Sequence, residues 1–235
     1  MLLNACGNLK EDNTAKFIED NQGVFKQYTV NSDDKIERMG VSAIMAYDLG
    51  DMNVLNEHAE LVVKGEVTEE PYTIPYRPIP YTFYSVQINE VLKGDEYAQA
   101  GDVIAVGDMQ GVISAKDYRE LMIEDGLGFT LDEEPEVSDE ELEQTYYDFT
   151  NGPVLHTGDE LIFVMYKMDN FLTDEGEYFW HLFEGGHGKF YEIADDEYMR
   201  IYSSDATDNL TRSISEVEPK PMDEVFSSEE LDEIF

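Results

Sequence analysis

Cysteine occurs once, as Cys6, in a chain of 235 residues. A lone thiol excludes intrachain disulfides and the paired spacings of zinc ribbons and CxxC redox sites. Basic residues are scarce too: 15 Lys and Arg stand against 53 Asp and Glu, a formal net charge of -38 spread over the whole length. Nucleic-acid binding rests on clustered Lys and Arg that displace counterions, and no such cluster occurs, so DNA and RNA are set aside as partners. The same repulsion disfavours anionic membrane surfaces. No apolar run approaches the roughly 20 residues needed to cross a bilayer. Enzyme signatures are missing as well: there is no Gly-x-Ser-x-Gly elbow, no His-Glu-x-x-His and no Gly-x-x-x-x-Gly-Lys phosphate loop. With carboxylates this abundant, chance adjacency explains every acidic pair, and no catalytic residue or cofactor is expected.

What is present is a globular composition. Hydrophobic residues make up 42% of the chain, enough to fill a real core, and the length suits one sizeable domain. The acidity fits solubility or adaptation to salt, with a calcium-binding surface as the sharper alternative. Residues 7–50 carry scattered apolar side chains without a clean period and read as a tether and partly docked N-terminal segment. Asp51 is an acceptable N-cap for a helix running through Met52, Val54, Leu55 and Ala59.

Two strand-like runs then organise the chain. Leu61–Val67 is strand one, and Gly65 within it signals a bulge or a close backbone approach. Tyr81–Gly94 is strand two, in which Tyr84, Val86 and Ile88 alternate with Ser85, Gln87 and Asn89. Its length exceeds that of most strands, as expected where one bent strand serves both sides of a small closed barrel. Asp102–Val106 is strand three. Ser114 should cap a helix over 115–123, with Ile113 and Tyr118 as its hydrophobic staple. Ser138 and Glu141 form a capping box, and Leu142, Tyr146 and Phe149 recur at helical spacing, so the pattern predicts a helix reaching Phe149. Glu160–Tyr166 is apolar on both faces and therefore a central fourth strand. Glu177–Phe183 and Lys189–Ile193 read as a hairpin across residues 184–188, and Glu197–Tyr202 as a short edge strand. Ser227 and Glu230 box a last helix, leaving Leu231, Ile234 and Phe235 to dock on the domain or on a partner. The expectation is a mainly β (α+β) fold, a five- to six-stranded antiparallel barrel over 51–205 with peripheral helices in the strand 3–4 insertion and in the C-terminal extension 206–235.

The order of helix, Glu60–Val67, the long strand ending in Val91, Leu92, Lys93 and Gly94, Gly101–Val106, a helical insertion and Gly158–Phe163 resembles small secreted and surface lipoprotein domains of Gram-positive bacteria. Those in turn look like netrin-like barrels of the OB type, the fold of the tissue inhibitors of metalloproteinases. The resemblance covers roughly residues 50–202 and speaks to fold more than to activity, since one fold hosts many functions. It implies an OB-like barrel. Residues 1–6 are similar to the tail of a bacterial lipoprotein signal, with Leu3 and Ala5 ahead of Cys6, although Asn4 departs from the usual residue. No basic and apolar stretch of the kind a secretory signal needs precedes Cys6. The resemblance implies lipidation of Cys6 and a chain anchored at the cell surface, on the outer face of the cytoplasmic membrane, with no other membrane contact. The inhibitor family uses a disulfide-bonded N-terminal cysteine on a protease zinc; Cys6 lies far before strand one and has no partner cysteine, so that mechanism does not carry over.

Three groups of residues could carry recognition. The connection Pro71–Tyr81 holds four of the chain's eight prolines, which stiffens it, and Tyr72, Tyr76, Arg77 and Tyr81 offer amphipathic contact area unless they pack on the barrel itself. In OB barrels this loop flanks the usual binding face. His181, Glu184 and His187 have zinc-compatible chemistry, set against an ordinary strand and turn. Asp195, Asp196, Glu197, Asp205 and Asp208 are oxygen-rich but lack the spacing of a calcium loop. The expectation is a noncatalytic, monomeric binding module for a protein or carbohydrate ligand; a protease inhibitor or regulator and a metal-dependent hydrolase are the alternatives.

Overall fold

The structure, a computed structural model, describes residues 25–28, 30–31, 33–39, 48–76, 79–124, 137–150, 154–169, 178–183, 186–194, 197–200 and 224–235. In chain order its elements are β1 (Lys35–Arg38), α1 (Met52–His58), β2 (Leu61–Val67), β3 (Tyr72–Ile74), β4 (Tyr81–Lys93), β5 (Val103–Asp108), β6 (Val112–Ser114), α2 (Ala115–Glu124), α3 (Asp139–Glu143), β7 (Thr145–Asp148), β8 (Glu160–Asp169), β9 (Tyr178–Leu182), β10 (Lys189–Ala194), β11 (Glu197–Arg200), β12 (Glu224–Ser227) and α4 (Ser228–Ile234).

Five strands close a barrel in the order β8-β2-β4-β5-β9 and back to β8. Every neighbouring pair is antiparallel except β5 and β9, which run parallel with Val106 opposite Trp180. The sheet is therefore mixed where an antiparallel one is expected from the sequence, because β9 folds back on β8 and so enters in the direction of β5. Among the described residues this is a mainly β architecture with four helices, compatible with an OB-like barrel. Alternate residues face inward: Leu61 and Val63 from β2, Val86 and Ile88 from β4, Phe163 and Met165 from β8 fill the interior.

Gly65 carries out the role expected of it. The β2–β4 register slips between Lys64 and Gly65, and a Cβ there would lie 2.7 Å from Val86 Cγ1 and 2.9 Å from the Gln87 carbonyl oxygen. Only glycine lets the two strands approach this closely, and the bulge bends the sheet toward closure. The outer face of β2 and β8 forms a second core, with Val62, Ile162 and Val164 covered by Leu55 of α1 and Leu231 of α4. Asp51 caps α1 by accepting from the Asn53 N–H, and the Ser227–Glu230 box caps α4, so Leu231 docks on the protein's own domain.

Three expected elements differ. Ser138 caps a helix of only five residues by accepting from the Glu141 N–H, and Thr145–Asp148 is a strand between β1 and β6 rather than a continuation to Phe149. The acidic turn of α3 buries nothing, whereas the Thr-Tyr-Tyr run finds pairing on both edges, so tertiary pairing overrides the helical spacing. Segments β9 and β10 do not form a hairpin. They lie end to end along one edge of β8, β10 against Leu161–Phe163 and β9 against Met165–Asp169. At Gly188, where the chain steps between them, a Cβ would lie 2.7 Å from both the Phe183 nitrogen and the Val164 oxygen. Finally, β11 is not an edge: β12 pairs outside it.

The N-terminal segment docks where it is described. Lys26 and Thr73 exchange two backbone hydrogen bonds of 2.8 Å, and Tyr28 Oη donates to Asp117 Oδ2 at 2.7 Å. Among the described residues no helix is long and apolar enough to cross a membrane.

Candidate functional site

The Pro71–Tyr81 connection folds as a hairpin with the start of β4. Its first arm, β3, pairs with the start of β4, Tyr72 opposite Phe83 and Ile74 opposite Tyr81. This pairing sends the tyrosines in different directions. Tyr81 is 4% exposed and packs in the core beside Phe83, Phe179 and His181, so it is not available as a contact residue. Tyr76 is 41% exposed at the tip, its ring edge-on to Tyr81 at 5.5 Å. Tyr72 is half-buried, with Phe25 5.6 Å away. Arg77 lies outside the described residues.

His181 is fully buried, boxed by Tyr166 at 5.1 Å, Tyr81 at 5.5 Å and Phe179 at 6.1 Å. Its Nδ1 is bonded to the Leu182 carbonyl oxygen, and Nε2 has no hydrogen-bond partner among the described residues. Burial pushes its pKa down, against a smaller upward pull from Asp108. His187 is half-buried in the step between β9 and β10, and burial followed by the Arg200 charge lowers its pKa too. Glu184, Cys6, Asp195, Asp196, Asp205 and Asp208 lie outside the described residues. Among the described residues no three His, Cys, Asp or Glu side chains are grouped to hold a metal.

A polar feature inside the barrel escapes the sequence reading. Lys189 Nζ donates to Asp108 Oδ2 at 2.8 Å with the two side chains 2% and 7% exposed. The pair ties the start of β10 to the end of β5 and sits at one mouth of the barrel. Tyr84 and Tyr191 are buried beside it, and burial raises both phenol pKa values, so both remain neutral hydroxyls. The Tyr191 hydroxyl has no hydrogen-bond partner among the described residues. A signal existed: Asp108 continues the inward face of Ile104 and Val106, and Lys189 that of Tyr191, so each strand carries one charge of opposite sign on its apolar side.

The arrangement can do two things chemically. The hairpin presents the exposed Tyr76 ring beyond the paired β3 and β4, a face of the kind that stacks against a sugar or an apolar side chain. The inner pair neutralises itself and holds two strands together. Searched against known proteins, the chain matches no family model and no curated protein.

Proposed function

We propose that this chain is an extracytoplasmic lipoprotein, anchored through Cys6, whose OB-like barrel serves as a noncatalytic binding module for a protein or carbohydrate. The observation that supports it is the hairpin: β3 pairs with β4, Phe25 packs on Tyr72, and Tyr76 is left at the tip with 41% of its surface exposed. A stiff support with an exposed ring presents contact area at low entropic cost. Replacing Tyr72, Tyr76 and Arg77 with Ala should abolish binding to whichever peptide, glycan or extracellular protein the wild type retains on an array, with the melting curve unchanged. Retained binding by the triple variant, or no retention of any probe by the wild type, overturns the assignment. Anchoring has its own test: Cys6→Ser should shift the protein from the membrane fraction to the medium and remove a diacylglycerol-sized mass from its N-terminal peptide.

A further inference from the structure

At the mouth of the barrel opposite Lys189, three rings surround a second lysine. Lys167 follows Met165 on the inward face of β8, at the rim. Its Nζ lies 4.3 Å from the Tyr178 ring centroid, 4.4 Å from that of Tyr97 and 5.7 Å from that of Trp180. The rings are set at steep angles: Tyr97 to Trp180 is 61° at 5.6 Å, and Tyr178 to Trp180 is 84° at 5.7 Å. Aromatic faces thus meet the ammonium from three sides, all within the range of cation–π attraction. Tyr178 is 38% exposed and Trp180 4%, so the cage has a buried floor and an open wall.

We propose that Tyr97, Tyr178 and Trp180 form a binding site for a small quaternary ammonium cation, with the Lys167 ammonium as its resident occupant. The chemistry of the rings favours such a ligand over the lysine. An ammonium carries three N–H donors, and the ring faces that meet it offer π density rather than a lone pair. Among the described residues Lys167 Nζ has neither a hydrogen-bond acceptor nor an ion-pair partner, in a chain with 53 carboxylates. Glu60, close by, spends its Oε2 on the Lys167 backbone N–H at 2.7 Å. A permethylated nitrogen brings the same charge with no donors to satisfy. Lys167 has a flexible four-carbon stem and can swing out to water when displaced. The net charge of -38 raises the local concentration of any cation. The other cation–π contacts differ: Arg200 over Phe190 and Phe226 is held by the Leu49 and Gly50 carbonyls and by Glu224, and Lys64 meets the single ring of Tyr198.

This site lies at the opposite end of the barrel from the hairpin and stands or falls separately from it. Trp180 is the only tryptophan in the chain, so its fluorescence reports on the cage alone. The full chain is titrated with choline and with trimethyl-lysine, and with 3,3-dimethylbutan-1-ol as the uncharged isostere of choline. The wild type should respond weakly to the cations, Lys167→Ala should bind them about ten-fold more tightly because the internal competitor is gone, and the uncharged alcohol should have no effect. Tyr178→Ala should abolish the response, and the Tyr72, Tyr76 and Arg77 replacements should leave it intact. Whichever cation saturates the signal at lower concentration identifies the source of the ammonium group. An unchanged Trp180 signal with both cations in wild type and in Lys167→Ala of native circular dichroism, or an equal response to the alcohol, overturns the proposal; Lys167→Gln repeats the test should the alanine variant fail to fold.

Discussion

The barrel carries a lysine at each mouth, and the two are held in opposite ways. Lys189 is sealed inside with a carboxylate at 2.8 Å, while Lys167 rests among rings at the rim with its charge met, among the described residues, only by π faces. Desolvating a lone ammonium costs several kcal/mol, so the inner lysine exists only because Asp108 accompanies it. The rim lysine keeps access to water and needs no counter-charge. The inner mouth is therefore structural, and the rim mouth can exchange its occupant.

The largest effect that would break this contrast comes from the inner pair. Lys189→Ala leaves Asp108 buried and uncompensated and should cost about 3–5 kcal/mol in urea unfolding, whereas Lys189→Met combined with Asp108→Leu should recover most of it. A single-variant loss below about 1 kcal/mol would place the pair in water and erase the difference between the mouths. Next comes the rim backbone. Gly94 sits at φ +87, and a Cβ would strike the Glu60 carbonyl, so Gly94→Ala should cost about 1–3 kcal/mol or more. Lys167→Ala at the same mouth should cost no more than about 1 kcal/mol in the same assay.

The smallest effect is a slope with pH. The buried His181 ring has a pKa below its ordinary 6.5, so the unfolded chain takes up the proton first as pH falls. Its stabilising contribution is complete above about pH 6.5 and is lost progressively toward the lower folded pKa. Between pH 7 and about pH 5 the wild type should therefore lose more stability than His181→Phe, which fills the same aromatic box without a titrating nitrogen. Parallel pH profiles for the two proteins would refute the burial of that ring.

Much of the barrel was legible because its signals are local. Asp51 and Ser227 with Glu230 act through their own backbone neighbours and do in the structure what their residue types predict, and Gly65 marks by its type alone the place where β4 comes close. The misreadings concern partners far along the chain. Thr145–Asp148 becomes a strand because β1 and β6 flank it, and β9 and β10 share β8 because that strand is long enough to take both on one edge. The candidate site followed the same division. Proline and tyrosine density marked the hairpin, but which ring faces out depended on the β3–β4 register: Tyr76 does and Tyr81 does not. Lys189 and Asp108 were visible as charges on apolar faces, yet only the closed barrel brings them together.

The cover on the outer face of β2 and β8 has a consequence for the order of folding. Leu55 is made early and Leu231 late, and both lie over Val62, Ile162 and Val164. A barrel that closes first holds that apolar face exposed until residues 224–235 dock, because β12 and α4 supply the rest of the cover. Until that last segment is in place the closed barrel carries an uncovered apolar face, and a chain shortened before residue 224 would keep it.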